Sequence, residues 1–167
     1  MNAYEFRGRR RYFNGWVIGH GFLIDNAIVG EPEYVWDDKR FDWCEVIPET
    51  VGQFTGVIAH KSHRGTEEQD RRIFAGDVIL RHGTGSSGKD TAYKFIIVFE
   101  KGCFQLKRPD NCYRSGLDPN GFSLHEDYAQ REAFNKEDPK FNCFYEIIGN
   151  IHDNPEHIPP WALGNRE

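Results

Sequence analysis

Residues 93–107 carry the clearest alternation of apolar and polar positions in the chain. Tyr93, Phe95, Ile97 and Phe99 recur at every second position, which places them on one face of an extended strand. Ile96 and Val98 imply partial cover on the opposite face. Glu100 to Gly102 then turns the chain, and Phe104 and Leu106 alternate on the return. This pattern predicts a β-hairpin with Phe95, Ile97 and Phe104 in one core. Its aromatic and β-branched side chains suit a pleated surface.

Weaker patterns of the same kind run through the rest of the chain. Residues 5–25 predict two short strands, with turns at Asn14-Gly15 and from Gly19 to Gly21. Residues 27–50 mix Val35, Trp36, Phe41, Trp43, Val46 and Ile47 with Pro32 and Pro48, and read as short strands or extended chain. Residues 51–59 are strand-like, and the charged stretch 60–72 reads as a solvent-facing loop. Ile73 to Leu80 returns to apolar character, with Gly76-Asp77 as a turn feeding a strand at 78–82. Residues 108–122, with Pro109, Gly116, Pro119 and Gly121, read as loop. Ser123 and Glu126 form a capping box ahead of a helix at 124–135, with Leu124 and Tyr128 on one side and Pro139 beyond its end. The last strand is predicted at 141–151, with a bulge or bend where Ile147-Ile148 precedes Gly149. The tail at 152–167, with Pro155, Pro159 and Pro160, is expected to be irregular and pinned by Trp161.

These elements predict one domain over 1–167 that is mainly β, with one short helix near the C-terminal third. The architecture is either a small barrel or an α+β fold with antiparallel sheets. Exposed strand edges then favour either barrel closure or pairing between subunits.

A chain of 167 residues suits one domain and can bury about two thirds of its unfolded surface without a metal or disulfide. The 13 Phe, 7 Tyr and 4 Trp are enough to fill such a core. With 21 basic and 26 acidic residues the net charge is −5, so the overall positive field of a non-specific nucleic-acid binder is missing. No apolar run has the length to span a bilayer, and Met1 to Arg7 lacks an apolar signal segment, so export is not expected. Cys44, Cys103, Cys112 and Cys143 are irregularly spaced and are expected to be reduced thiols.

Four segments carry a family resemblance. They are Tyr4-Glu5-Phe6-Arg7, Gln53-Phe54-Thr55-Gly56, Ile73-Phe74-Ala75-Gly76-Asp77-Val78-Ile79, and Tyr145-Glu146-Ile147-Ile148-Gly149-Asn150-Ile151-His152-Asp153-Asn154-Pro155-Glu156. In this order they resemble the motifs of the YopX-like family of bacteriophages and prophage regions, across nearly the whole chain. The resemblance implies a predominantly β, phage-related protein in the bacterial host cytosol. It brings no catalytic residues with it.

Several stretches bear on chemistry. Gly83 to Lys89 approaches a phosphate-binding loop, but Asp90 stands where the Mg²⁺-binding hydroxyl belongs, and a strand pattern follows instead of a helix. A hairpin loop is the better reading. His60 and His63, and the group His152, Asp153, Glu156 and His157, do not supply four local ligands, so no metal or cofactor is expected. Asp77 is read as accepting hydrogen bonds from its own turn backbone, and Glu146 as pairing with a basic residue. Cys103 is read as a small apolar residue of the hairpin. Arg7, Arg9, Arg10 and Arg11 lie close to Tyr12, Phe13 and Trp16, a composition able to hold a nucleic-acid strand by phosphate contacts and stacking. Lys61, His63, Arg64, Arg71 and Arg72 form a second basic cluster, diluted by Glu67, Glu68 and Asp70.

The expectation that follows is a non-catalytic interaction or assembly module. Its partners would be further copies of itself, through Trp161, and a phage or host protein, with no membrane contact. The alternatives are a nucleic-acid-binding accessory protein using Arg7, Arg9, Arg10, Arg11, Tyr12 and Trp16, and an enzyme of unknown class.

Overall fold

The computed structural model describes residues 5–12, 14–23, 27–30, 43–62, 71–84, 90–108, 122–137 and 143–157. The fold is α+β, and the chain divides into two units, Met1–Thr55 and Gly56–Glu167.

In the first unit, strands β1 (Glu5–Arg9), β2 (Trp16–Leu23), β3 (Ala27–Gly30), β4 (Trp43–Glu45) and the start of β5 (Gly52–Ile58) pair antiparallel in the order β4-β3-β2-β1-β5. The β1–β2 turn closes where the Arg10 N–H donates to Gly15 O at 3.0 Å. Gly15 has φ 115°, a value that side-chain-bearing residues avoid, which is why Asn14-Gly15 marks the turn. Gly19 to Gly21 is not a turn. Strand β2 runs through it, and its register with β3 shifts between Gly19 and Phe22. Residues without a β-carbon absorb such a bulge while the strand continues. Val17 and Val46 are buried, with Phe6 and Val51 packed on them. Thr50 ties a short 3-10 turn, Pro48–Thr50, to β1 by accepting the Arg9 N–H at 2.9 Å.

Strand β5 continues into the second unit, where β7 (Arg72–Phe74) lies beside it. The second sheet follows the order β11-β10-β9-β8-β12-β6. Its strands are β6 (Lys61–Ser62), β8 (Asp77–Thr84), β9 (Asp90–Glu100), β10 (Cys103–Lys107), β11 (Phe122–Ser123) and β12 (Phe144–Asn150). All its pairings are antiparallel except that of β6 with β12. The barrel-like alternative is set aside. The outer strands β11 and β6 have two residues each, too few to pair into a closed ring. The stretch 60–72 is not wholly loop, because Lys61–Ser62 adds to β12 and Arg72 opens β7; residues 63–70 lie outside the described set.

The β9–β10 hairpin forms where the alternation predicts it. Lys101 and Gly102 have φ 53° and 80°, the two left-handed positions of a two-residue hairpin turn. Phe95, Ile97, Phe104 and Leu106 are buried in one cluster with Ile79, Tyr145 and Ile147. The apolar face is buried only at its centre, for Tyr93 and Phe99 at its two ends are 42 % and 55 % exposed. Strand β9 begins at Asp90, so a strand and not a helix follows the glycine-rich loop. Residues 85–89 of that loop lie outside the described set.

Helix α1 (Leu124–Glu137) covers the cluster with Leu124 and Tyr128. The Ser123 hydroxyl accepts the Glu126 N–H at 3.4 Å, as the capping pattern predicts. The register of β12 against β8 shifts between Ile147 and Gly149, the bulge expected there. A 3-10 turn, Pro155–His157, ends the described chain, and Trp161 lies beyond it.

Candidate functional site

The motif residues of the second unit meet at one junction. Asp77 is fully buried and its Oδ2 accepts the Phe74 N–H at 2.8 Å, the turn-backbone role expected of it. Gly76, with φ 87°, donates to Ile97 O at 2.8 Å and accepts from the Ile151 N–H at 2.9 Å. Asp77 pairs in register with Asn150, which brings the Gly76-Asp77 turn against the C-terminal motif. Asn150 is buried, and its Oδ1 accepts the His152 and Asp153 N–H groups at 2.8 and 3.0 Å. Its Nδ2 donates to Asp153 Oδ2 at 2.8 Å. Asn154 Oδ1 accepts the Asn150 N–H at 3.3 Å, and Asn154 Nδ2 donates to Glu156 Oε1, one residue past Pro155. Gly149 is buried at the bulge. These bonds give Gly76, Asp77, Asn150 and Asn154 a common structural role: they lock two turns together. In the other motif, Gln53 pairs with Phe6, Thr55 is buried, Phe54 is half-buried, and Gly56 adopts φ 82° within β5.

A second arrangement was not signalled by the sequence. Asp127 of α1 lies under the helix, 5 % exposed, and gathers donors from three elements. Arg81 of β8 binds it with Nε at 2.9 Å and Nη2 at 2.5 Å. Arg131, one helical turn on, donates from Nε at 2.7 Å. Tyr145 of β12 donates its hydroxyl at 2.5 Å. Arg131 also donates from Nη1 to His82 O at 2.5 Å, and its guanidinium carbon lies 5.4 Å from the Tyr145 ring centre. Asn135, one turn further, clamps the backbone of Cys143, donating to its O at 2.8 Å and accepting its N–H at 3.1 Å. Burial opposes the Asp127 charge, but the Arg81 and Tyr145 hydrogen bonds and the two guanidinium charges outweigh it, so its pKa is lowered. Burial, together with the Asp127 charge, pushes the Tyr145 phenol well above its ordinary range. This carboxylate is saturated by donors and serves to fasten the helix to the sheet.

On the opposite face of the sheet, His82 Nε2 is hydrogen-bonded to Glu146 Oε2 at 2.9 Å, so Glu146 has the basic partner expected of it. The His82 ring stacks on Phe144, its cross-strand neighbour, with centres 4.3 Å apart. Asp77 and Glu146 are not brought together as a carboxylate pair, since Glu146 pairs with Leu80 and Asp77 with Asn150. Cys103 and Cys143 are free thiols; the Cys103 Sγ lies 3.6 Å from both Glu100 O and Gln105 Nε2. Among the described residues no group of three or more His, Cys, Asp or Glu is arranged to hold a metal ion.

The chain matches no family model, no curated protein and no solved structure.

In the first unit the N-terminal arginines do not act as one group. Arg7 is buried, 1 % exposed, and its guanidinium lies 4.7 Å from the Trp16 ring centre, although period two places it on the same face of β1 as Arg9. Arg9 and Arg11 are exposed, Arg10 is half-buried, and Tyr12 is 73 % exposed. Arg11 forms an ion pair with Glu45, whose hydrogen bond and charge raise the Arg11 pKa. The surface part of the predicted cluster is thus Arg9, Arg10, Arg11 and Tyr12. Among the described residues no helix is long and apolar enough to cross a membrane.

Proposed function

We propose that this chain is a non-catalytic interaction module of a phage-related system, acting in the bacterial host cytosol, which self-associates and docks a protein partner. One observation carries the reading. At the tip of the β9–β10 hairpin Phe99 stands more than half exposed, its ring 5.0 Å from that of Phe104, which in turn lies 6.1 Å from the His125 ring at the start of α1. A large aromatic side chain held on a rigid hairpin costs little entropy to immobilise and buries much apolar area on docking. The saturation of Asp127 by structural donors supports the non-catalytic side of the proposal, and the resemblance of the four motifs to the YopX-like family supports the phage setting.

Sedimentation velocity over a concentration series tests self-association, with Phe99→Glu as the contrast. The wild type is expected to sediment faster as concentration rises and the variant to remain a monomer. Affinity capture from lysogenic cells with both proteins then tests partner docking. A wild type that stays monomeric throughout, and captures the same set as Phe99→Glu, ends the proposal.

A second reading is favoured by the exposure of Tyr12 beside Arg9, Arg10 and Arg11. A single nucleic-acid strand would meet these arginines through its phosphates and stack on Tyr12. Steep salt dependence of oligonucleotide binding, abolished by Arg9→Ala with Tyr12→Ala, is its test.

A further inference from the structure

The face of β10 turned away from the apolar cluster carries Cys103, Gln105 and Lys107, because Phe104 and Leu106 between them belong to the cluster. Across the hairpin these three stand in register with Glu100, Val98 and Ile96 of β9. The Lys107 ammonium reaches along this row to the Glu100 carboxylate at 2.5 Å, so their ion pair spans the position of Gln105. Gln105 is only 8 % exposed. Its Nε2 donates to the Cys103 Sγ at 3.6 Å, while its Oε1 is buried without a hydrogen-bond partner.

A buried acceptor without a donor has lost its water and gained nothing in return, and such an atom in a folded protein calls for a reason. Here the reason lies beside it. Nε2 and Oε1 share one carbon, so the amide that holds the sulfur also sets a vacant acceptor next to it. The Cys103 thiol is free and half-buried, and its S–H points to Glu100 O at 3.6 Å. It stands at the end of the row, next to the exposed Lys101-Gly102 turn, where a small oxidant reaches it. Cys143, the other described thiol, differs: the amide beside it, that of Asn135, holds its backbone and not its sulfur.

We infer that Cys103 is a site of reversible oxidation by hydrogen peroxide, and that Gln105 holds the product, a sulfenic acid. The sulfur attacks one peroxide oxygen; an S–O bond forms and the O–O bond breaks. Sulfur gives up two electrons, and the departing hydroxide takes the thiol proton to become water. The new S–OH hydroxyl then supplies the donor that Gln105 Oε1 lacks. A sulfenic acid ordinarily condenses with a thiol or goes on to sulfinic acid. Fixing its hydroxyl on a buried acceptor slows both, and a small thiol still restores the reduced side chain. The site lies on the face of the hairpin opposite Phe99 and Phe104, so it stands independently of the docking proposed for those rings.

The test uses the full chain, fully reduced, with an equimolar amount of hydrogen peroxide and dimedone, which traps sulfenic acids. Peptide mass spectrometry reads the adduct at each cysteine. Cys103 is expected to carry at least about fivefold more adduct than Cys143. In a second series catalase removes the peroxide and dimedone is added after increasing delays, which gives the lifetime of the sulfenic acid. The lifetime at Cys103 is expected to be about fivefold shorter in Gln105→Leu than in the wild type, the worth of one hydrogen bond, with more sulfinic acid formed. Gln105→Glu keeps an acceptor in place and is expected to hold the wild-type lifetime. Circular dichroism establishes that each variant is folded. Should Gln105→Leu fail to fold, Gln105→Met, equally long and without the acceptor, takes its place. Absence of adduct at Cys103, or preferential labelling of Cys143, overturns the inference. So does an equal lifetime in wild type and the variant lacking the acceptor, or a lifetime in Gln105→Glu as short as in that variant.

Discussion

Replacing Asp127 by alanine tests whether the helix is held by the charge cluster or by the apolar contacts of Leu124 and Tyr128. The variant leaves Arg81, Arg131 and the Tyr145 hydroxyl without the acceptor they share. Removing one partner of a buried ion pair costs about 3–5 kcal/mol, because the remaining charge stays desolvated. Two features place Asp127→Ala near the lower end. The Arg81 side chain is 26 % exposed, so water reaches it. Arg131 keeps its bond to His82 O. A loss of about 3 kcal/mol is therefore expected, a large share of the 5–15 kcal/mol typical of a folded domain. Tyr145→Phe removes one donor from a carboxylate that keeps its two arginines, and about 1.5 kcal/mol is expected. Since Tyr145 and Asp127 act on each other, the double variant must lose less than the sum of the two. Urea denaturation followed by far-ultraviolet circular dichroism measures all three. A loss below about 1 kcal/mol for Asp127→Ala, or strict additivity with Tyr145→Phe, would refute the reasoning and assign helix docking to the apolar contacts.

The lowered pKa of Asp127 makes the same cluster sensitive to acid. A carboxylate with a folded pKa below its unfolded value of about 3.9 contributes stability that is full above that value and lost as pH falls through the folded pKa. The urea midpoint of the wild type should therefore fall more steeply below about pH 4 than that of Asp127→Asn, and parallel curves would count against the assignment. Lys101 occupies a left-handed position with φ 53°, so Lys101→Gly should raise stability by about 0.5–1 kcal/mol; a thermal melt showing a loss contradicts the turn geometry. Phe95 is buried at the centre of the hairpin face, and Phe95→Ala should cost about 3–5 kcal/mol; a loss below about 1 kcal/mol in equilibrium denaturation would remove Phe95 from the core.

Local regularities proved legible where one short-range rule governs the outcome. Alternation at 93–107 marks the hairpin because both strands lie within one segment, and Lys101-Gly102 supplies the turn. The doubled Ile147-Ile148 before Gly149 marks the bulge because a strand cannot keep its face without one. Asp77 is readable because its acceptor role is met three residues away, by the Phe74 N–H. The inward face of α1 obeys no such rule. Leu124 and Tyr128 point to the core as expected, but Asp127, Arg131 and Asn135 lie against the sheet with them, and charged or amide residues at this spacing read as a solvated face. The partner that permits their burial, Arg81, is 46 positions from Asp127 and bears no local mark of the pairing. The one cue on the helix is the spacing of four between Asp127 and Arg131, which suits an ion pair on any helix surface.

The same physics separates the two sets of arginines. Arg7, Arg9, Arg10 and Arg11 draw notice because they are adjacent in sequence, yet adjacency in a strand sends neighbours to opposite faces. Arg10 is thereby parted from Arg9, and even Arg7 and Arg9, which share a face, differ, for Arg7 is buried beside Trp16 while Arg9 is exposed; Arg11 is occupied by Glu45. Arg81, Arg108 and Arg131 are scattered through the chain and draw no notice, yet sheet register and one helical turn bring them around Tyr93 and Tyr145. A positive surface depends on what converges in space and on how much of it nearby carboxylates cancel. By that measure Arg81 and Arg131, both bonded to Asp127, belong to the anchorage of the helix. Neutralising Arg11 should therefore change oligonucleotide affinity by less than about twofold, because Glu45 already offsets its charge, and anisotropy titrations of wild type and Arg11→Gln at one salt concentration decide it. A loss of more than about fivefold for Arg11→Gln would show that its pairing with Glu45 leaves the charge free to meet a phosphate.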